Sequence, residues 1–381
     1  MSETNDRPGL GAPAHWMSVQ AKDLVTNQQV IQVDSSASIE EACDALIAHK
    51  IQSVPLYDSA SKSYIGMFDL HDLASYLLAK RPQGRQGLAR EVGQQGVEVS
   101  RLTDMSHMNP FYSVLPETTV AQIVGVFASG THRVAVMQSE REIRGILSQT
   151  RVVRYFFEHC AGPQATDPQA MRINGLLDRT LQDLGLVTGN VVMAKPTTPV
   201  LQALSLLERW HISSVAIVED SQRLVGNLSV TDIKYVVKNK QLLNGTCIEL
   251  IQSVRYMQGL QDGRDRAAVF SVRPEASLRY ALSKLIATGA HRVWVTRPSA
   301  GSDAGELPAQ ARQRSGSTAS ARRASISSSS SQTVPIAPPH FAGAFTDTVC
   351  GVVSLTDILR LLIEHSPQPA ADPEYNYASM D

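Results

Sequence analysis

The chain has 381 residues, of which 43% are hydrophobic and 19% charged, with a formal net charge of −1. This length predicts two or three domains, and the near-zero charge excludes a polyanion binder that relies on bulk electrostatics. Four widely spaced cysteines without a C-x-x-C pair fit neither a zinc site nor a disulfide framework. The N-terminus has no basic and apolar leader, and no apolar run approaches about 18–20 residues. We therefore expect a soluble intracellular protein with no membrane partner.

Four helices repeat one apolar pattern, i, i+3, i+4, i+7, which places a single apolar stripe on one face of each helix. The four stripes are Ile39-Ala42-Cys43-Leu46, Val120-Ile123-Val124-Phe127, Val200-Ala203-Leu204-Leu207 and Leu278-Ala281-Leu282-Leu285. The chain is therefore predicted to be a fourfold repeat. Ser38 and Glu41 have the spacing of a capping box, and Thr198 before Pro199 is predicted to cap the third helix.

Each of these helices lies between two β-type segments. A third strand with a glycine and a second amphipathic helix complete a β-α-β-β-α unit of about 60 residues, which is an α+β arrangement. Such a unit is too small to bury both faces of its sheet, so the units are expected to pair. About 47 extra residues, rich in Ser, Arg and Pro, interrupt the fourth unit and predict a disordered insertion at about 298–348 within a β-hairpin.

The run glycine-x-x-Ser/Thr-x-x-Asp, most complete at 226–232 and 351–357, resembles the signature of the CBS domain. This resemblance implies four CBS repeats in two tandem Bateman-type pairs, stacked as a flat disc in a monomer or homodimer. The predicted division is a mostly flexible N-terminal segment 1–21, repeats at 22–80, 100–159, 184–240 and 266–364, and a flexible tail 365–381.

Two narrower families compete. One is a fungal family of four-CBS proteins associated with inhibition of type-2A-like phosphatases, cell-cycle progression and stress or nutrient responses. The sequence resembles this family in short segments such as Phe68-Asp69, Asn109-Pro110-Phe111 and Gly145-Ile-Leu-Ser-Gln. The other is the γ subunit of the AMP-activated protein kinase. The first resemblance implies a cytoplasmic and nuclear regulator with a Ser/Thr phosphatase or kinase-complex subunits as partner, and no nucleic acid. A nucleotide-sensing kinase subunit and a CBS scaffold without ligand are the alternatives.

In the CBS family an adenine nucleotide binds between repeats, where an aspartate accepts ribose hydroxyls and Ser or Thr and backbone N–H groups meet phosphate. AMP, ADP or ATP are therefore the expected regulatory ligands, with no required cofactor and no metal. The third and fourth repeats have the full signature, and a threonine precedes the helix of the third repeat. The candidate nucleotide-binding residues in these repeats are Thr198, Ser229, Thr231, Asp232, Ser354, Thr356 and Asp357. The alternative is that Thr-Asp only caps a helix.

The first two repeats depart from the signature. In the first, Asp69 replaces the hydroxyl and is expected to repel phosphate, which leaves the site at Asp72 empty or changed. In the second, Ser148 is followed by Arg151, and arginine cannot accept from ribose but can donate two bonds to a phosphate of the neighbouring site. A solvated helix residue is the alternative for Arg151.

Two His-Arg pairs precede the second strand of the even repeats, His132-Arg133 and His291-Arg292. In the kinase γ subunits, His-Arg at this position contacts nucleotide phosphates. The resemblance therefore implies that these four side chains converge on a shared cleft, whereas an exposed strand terminus is the alternative.

Arg322-Arg323-Ala324-Ser325, within the predicted insertion, is a basophilic kinase motif. Ser325 is thus a candidate phosphorylation site, with a passive linker as the alternative. The sequence has no Walker A loop, H-E-x-x-H or G-x-S-x-G motif, and we predict a non-enzymatic protein.

Overall fold

The computed structural model describes residues 18–79, 97–160, 168–237, 239–262, 269–298 and 347–365. These residues form four units, each with one three-stranded sheet. Three predicted features lie outside the described residues. They are Ser325, most of the predicted insertion, and both predicted terminal segments apart from residues 18–21 and 365. The strands on either side of the predicted insertion end at Pro298 and start at Asp347.

Unit 1 follows a short helix α1 (Ala21–Leu24) and contains β1 (Val33–Asp34), α2 (Ile39–Ala48), β2 (Ser53–Asp58), β3 (Ser63–Asp69) and α3 (Leu70–Ala79). Unit 2 contains β4 (Ser113–Val114), α4 (Val120–Ala128), β5 (Arg133–Ser139), β6 (Glu142–Ser148) and α5 (Gln149–Cys160). A 3-10 helix (Val99–Leu102) precedes unit 2, and α6 (Pro168–Leu177) follows it.

Unit 3 contains β7 (Met193–Ala194), α7 (Val200–Arg209), β8 (Ser214–Val218), β9 (Leu224–Ser229), a 3-10 turn (Val230–Asp232) and α8 (Ile233–Val236). A second 3-10 helix (Lys240–Asn244) and α9 (Cys247–Asp262) lead to unit 4. Unit 4 contains β10 (Ser271–Val272), α10 (Leu278–Thr288), β11 (Arg292–Pro298), β12 (Asp347–Ser354) and α11 (Leu355–Glu364). None of the described helices is both long and apolar enough to cross a bilayer.

The four sheets share one topology. The first strand of each unit is parallel to the second, and the second is antiparallel to the third, so that in unit 1 Val33 lies opposite Leu56 and Val54 opposite Phe68. The same pairing occurs in the other three units. The predicted β-α-β-β-α unit is thereby confirmed four times.

The apolar stripes are also confirmed, because the four helices begin at the predicted residues and every residue of each stripe is buried. The capping box at Ser38 and Glu41 is present, with the Ser38 hydroxyl accepting the Glu41 N–H at 3.2 Å. The predicted cap at Thr198 is wrong. Because α7 begins at Val200, Pro199 takes the capping position, and the Thr198 hydroxyl instead accepts the Lys195 N–H at 2.9 Å.

Two large apolar cores join units from different pairs. One core contains Leu46 and Phe68 of unit 1 together with Leu204 of unit 3. The other contains Phe127 of unit 2 together with Leu359 of unit 4. Since unit 1 packs on unit 3 and unit 2 on unit 4, each small unit gains the second apolar layer that its size requires.

Within each pair, the segment that precedes one unit packs on the other unit. Gln20, before unit 1, forms a β-bridge with Thr119 of unit 2, and Glu98, before unit 2, forms one with Ser38 of unit 1. In the second pair the corresponding bridges join Thr180 to Ser277 and Thr246 to Pro199. We refer to residues 18–28, 97–109, 180–191 and 246–262 as the exchanged segments.

A glycine in each third strand makes room for an exchanged segment, and its replacement tests that contact. A Cβ on Gly145 would lie 2.5 Å from the Cβ of Val25, an atom that cannot rotate away. Gly145→Ala is therefore expected to lower the free energy of unfolding by about 1–3 kcal/mol. A Cβ on Gly125, in α4, would meet nothing within 4 Å, so Gly125→Ala should raise it by up to about 1 kcal/mol. Urea denaturation followed by circular dichroism measures both, and effects of the same sign would contradict the packing.

Candidate functional site

All four units contribute to one cavity of about 250 Å³. It lies where the second strands begin and where the chain turns from a third strand into a helix. Its polar lining includes Gln52, Asp69, His71, His132, Arg133, Ser213, Ser229, Thr231, Asp232, Arg255, Gln258, His291 and Arg292. The cavity thus contacts both pairs of units at once, and we call it the central cavity.

Three histidine rings follow one another along the wall of the central cavity. The rings of His71 and His132 are stacked with centroids 6.0 Å apart, and those of His132 and His291 are 6.3 Å apart. Burial, together with the charges of His71 and Arg133, lowers the pKa of His132 to about 3. Burial, Arg133 and Arg292 do the same for the pKa of His291. Both imidazoles are therefore neutral at pH 7 in this structure.

The two arginines are fixed across the boundary between paired units. Arg133 donates to the side-chain oxygen of Gln52 at 2.8 Å, and Arg292 donates to Ser213 Oγ at 2.7 Å and to the Ser214 carbonyl at 3.3 Å. Burial lowers the pKa of Arg292 to about 10. Among the described residues, the Nε of Arg292 is buried without a hydrogen-bond partner. A half-buried cation in the wall of a cavity favours an anionic ligand.

Unit 3 supplies one of the two carboxylates that line the central cavity, and Asp69 of unit 1 is the other. One oxygen of Asp232 accepts the Ser229 N–H at 2.8 Å, and the Ser229 hydroxyl accepts the Thr231 N–H at 3.2 Å. Burial raises the pKa of Asp232 to about 6. The apolar lining beside these residues comprises Ile251 and Val254 of α9, Val269, Phe270 and Trp294. The site therefore combines an acceptor, donors and an apolar wall.

The exchanged segments occupy the equivalent positions in units 1 and 2. Asp72 accepts the N–H of Ser106 at 3.0 Å and its hydroxyl at 2.8 Å, and burial beside Asp69 raises the pKa of Asp72. Arg151 is exposed and its Nε donates to the carbonyl of Leu24. Ser148 only accepts the N–H of Arg151, at 3.3 Å. The expectation that Arg151 reaches a phosphate of the shared cleft is therefore not met.

The signature residues of unit 4 are engaged in a helix cap. Asp357 accepts the N–H of Ser354 at 2.9 Å and its hydroxyl at 2.6 Å, while Thr356 accepts the side-chain N–H of Gln149 at 3.2 Å. These three residues do not line the central cavity, and neither do Asp72, Ser148, Arg151 and Thr198. Of the candidate nucleotide-binding residues, those that the structure brings together around the central cavity are His132, Arg133, Ser229, Thr231, Asp232, His291 and Arg292.

Three features of the site were missed from the sequence. Arg255 and Gln258 reach the central cavity from α9, which follows unit 3 and carries no signature. His71 was missed although a signal existed, since it occupies in unit 1 the position of Thr231 in unit 3.

Within the described ranges, no group of three or more His, Cys, Asp or Glu side chains is arranged to hold a metal ion.

A family model for the CBS domain matches three segments of the chain, residues 21–79, 99–158 and 182–239. The chain is 33% identical to Protein SDS23 of Vanderwaltozyma polyspora over 370 residues, which cover 91% of this chain and 68% of that protein. It is 31% identical to Protein SDS23 of Eremothecium gossypii over 387 residues, which cover 94% of this chain and 78% of that protein. The chain belongs to the SDS23 family.

The prediction of a fungal family of CBS-repeat proteins is thereby confirmed. Protein SDS24 of Saccharomyces cerevisiae is a further relative, 31% identical over 302 residues that cover 74% of this chain and 56% of that protein. Among solved structures, the fold of this SDS23-family chain is similar to that of a Methanocaldococcus jannaschii protein described as a proposed archaeal homolog of γ-AMPK. The TM-score is 0.59 at 11% identity, with 90% of this chain and 99% of that chain covered. At this identity the likeness concerns the fold alone.

Proposed function

We propose that this protein is a non-enzymatic regulator that binds an adenine nucleotide in the central cavity and inhibits a Ser/Thr phosphatase in cell-cycle, nutrient and stress signalling in the cytoplasm and nucleus. The observation that carries the nucleotide is the convergence of two half-buried His-Arg pairs on one cavity that also contains Asp232. The phosphatase follows from the resemblance of the sequence to the fungal family.

The polar groups of the cavity suit the parts of a nucleotide. Asp232 keeps one carboxylate oxygen for a ribose hydroxyl while the other is held by the Ser229 N–H. Arg133 and Arg292, which line the cavity, are the charge-assisted donors for phosphate. The purine is placed against the apolar wall of Ile251, Val254 and Phe270.

A ligand in the central cavity is in a position to regulate because it contacts both pairs. If it binds one arrangement of the pairs more tightly than another, it shifts the population toward that arrangement. The outer surface presented to a phosphatase then depends on the nucleotide. The same logic applies to a kinase-complex partner, which is the alternative.

Calorimetry with AMP, ADP and ATP tests the nucleotide. Asp232→Ala is expected to weaken binding roughly 10- to 100-fold, the value of a hydrogen bond to a charged group. Asp220→Ala is the control, because Asp220 is exposed, pairs with Lys195 and does not line the cavity; it should leave the affinity unchanged. Flat titrations of the unmodified protein would support the ligand-free scaffold, and equal losses in both variants would contradict the assignment to unit 3.

The same pair of variants tests the regulatory step. The unmodified protein is expected to lower the activity of a purified type-2A-like phosphatase in a nucleotide-dependent way, and Asp232→Ala to remove only the nucleotide dependence. Stable co-purification with a kinase catalytic subunit, without an effect on the phosphatase, would instead support the γ-like alternative.

A further inference from the structure

Asn227 is a polar residue at a strand position that is apolar in the other three units. It follows the glycine of β9, and the equivalent residues of units 1, 2 and 4 are Met67, Ile146 and Val352. The Asn227 side chain is half-buried and lines the central cavity. Because Leu228 points into the core shared with unit 1, the alternation of the strand directs Asn227 to the opposite face, as it does Ser229. A polar group at such a position is costly unless its atoms find partners.

Trp294 of unit 4 provides a partner for one half of the Asn227 amide. The indole Nε1 of Trp294 donates to Oδ1 of Asn227 at 3.1 Å, across the boundary between units 3 and 4. An indole N–H can only donate, so Oδ1 must face Trp294 and the orientation of the amide is fixed. Trp294 is itself unusual, because the equivalent residues of the other second strands are Pro55, Ala135 and Ala216.

The other half of the amide, the Nδ2 amino group, has no partner among the described residues. Asn227 makes one side-chain hydrogen bond there, through Oδ1. Unlike Nε2 of His71, Nδ2 is not an atom that is both unpaired and sealed from water. Since Asn227 lines the central cavity, its amino group is a donor that a ligand in this cavity can use.

The amide lies at the apolar wall against which we place the purine. The backbone N–H of Trp294 donates to the carbonyl of Phe270 at 3.2 Å, and both residues line the cavity together with Val269. We therefore expect a base that packs on Phe270 to present its edge to Asn227. In the first pair of units, Met67 and Ala135 occupy the positions of Asn227 and Trp294, and their side chains offer no such donor.

An asparagine amide in this orientation matches one kind of purine edge. Adenine has an amino donor next to a ring-nitrogen acceptor, so Oδ1 can accept from the amino group through its second lone pair while Nδ2 donates to the ring nitrogen. A 6-oxopurine has a carbonyl oxygen in place of the amino group, and this oxygen would face Oδ1 and repel it. Rotation of the amide would relieve the repulsion but would leave the buried indole N–H of Trp294 without its acceptor.

We propose that Asn227, oriented by Trp294, selects adenine over 6-oxopurines in the central cavity. The inference rests on the proposed nucleotide site and adds to it the residues that distinguish one base from another. Asp232 and the arginines are assigned to ribose and phosphate, which all purine nucleotides share. Selection among purines therefore needs a contact to the base, and Asn227 supplies it.

Calorimetry of the full chain with AMP and IMP tests the selection, because these nucleotides share the sugar and phosphate and differ in the amino or oxo group of the base. The unmodified protein should bind AMP roughly 10- to 100-fold more tightly than IMP, the discrimination of one bidentate contact. Asn227→Asp keeps an acceptor for Trp294 but replaces the donor by a second acceptor, so the ratio of the two affinities should fall at least about tenfold. Asn244→Asp, at an exposed asparagine outside the cavity, should leave the ratio unchanged.

The ratio of affinities is decisive because the new carboxylate of Asn227→Asp would repel the phosphate of both nucleotides alike. Asp232→Ala, which removes the acceptor for ribose, should weaken AMP and IMP equally. Equal affinities of the unmodified protein for AMP and IMP, or an unchanged ratio in Asn227→Asp, would overturn this inference and leave the proposed function in place. Absence of binding by both nucleotides would refute the proposed function and this inference with it.

Nuclear magnetic resonance of the Asn227 side-chain amide in the unmodified protein gives a second measurement that does not depend on how a variant folds. The amide signals should shift when AMP binds and stay in place with ribose 5-phosphate, which has the sugar and the phosphate but no base. The indole N–H of Trp294 should remain hydrogen-bonded in both cases. Asn227 signals that do not move when AMP is bound would overturn the inference.

Discussion

Arg292→Met is expected to reduce ATP affinity by roughly 100-fold or more while the protein without ligand stays folded. The guanidinium is half-buried in the wall of the central cavity, and its pKa is lowered to about 10. Two charge-assisted hydrogen bonds to phosphate contribute about 1.5–3 kcal/mol each. The variant also loses the hydrogen bonds to Ser213 and Ser214, which is expected to lower the free energy of unfolding by about 1–3 kcal/mol.

Calorimetry and thermal unfolding with and without ATP measure both halves of this prediction. A ligand that binds only the folded state raises the unfolding temperature, and this rise should disappear in Arg292→Met. Arg141, exposed in the turn between β5 and β6, supplies the control variant Arg141→Met, which should retain both binding and the rise. A variant with normal ATP affinity would remove Arg292 from the site.

The second large effect is a dependence of ATP affinity on pH. His132 and His291 have pKa values of about 3 in this structure and are neutral at pH 7. Phosphate charges beside them raise these pKa values in the complex, so the complex takes up protons that the free protein does not hold. A group whose pKa is raised on binding strengthens binding as the pH falls toward the pKa of the complex. We expect tighter binding at about pH 6.5 than at about pH 7.5, by at most about tenfold for each proton that the complex takes up.

The pH window has a lower limit for two reasons. Asp232, whose pKa is about 6, becomes protonated below that pH and accepts hydrogen bonds less well. The pKa of the second ionisation of a phosphate also lies near 6, so the phosphate loses negative charge in the same range. Calorimetry in buffers of different ionisation enthalpy measures the proton uptake directly. The double variant His132→Gln with His291→Gln should show a flatter pH profile. Affinity that falls between pH 7.5 and 6.5, or binding without proton uptake, would contradict the prediction.

Periodicity was sufficient for the fold because it reports on burial. The apolar stripes that begin at Ile39, Val120, Val200 and Leu278 fixed the helices, and their spacing fixed the number of repeats. Thr198 shows the limit of the method. A shift of one residue in the start of α7 moves a hydroxyl away from the helix N-terminus, and single-residue boundaries depend on packing that a pattern does not contain.

The site was predicted less completely, because side-chain direction depends on the tertiary neighbours. Ser354 and Asp357 carry the same signature as Ser229 and Asp232, yet only the latter pair lines the central cavity. Arg151 was placed in a cleft, but the carbonyl of Leu24 in an exchanged segment holds it elsewhere. Which segment covers which unit is decided by contacts between residues far apart in the sequence.

The exchanged segments prevent any single repeat of this chain from having a complete surface of its own. A fragment that stops at residue 79 keeps unit 1 but loses residues 97–109, whose Ser106 satisfies the buried Asp72. The same fragment retains Val25, which is buried against unit 2 in the full chain and would face water alone. An isolated pair is incomplete as well, because it exposes the cores that unit 1 shares with unit 3 and unit 2 with unit 4. A fragment with fewer than four repeats therefore presents to water an apolar surface of the kind that leads to aggregation.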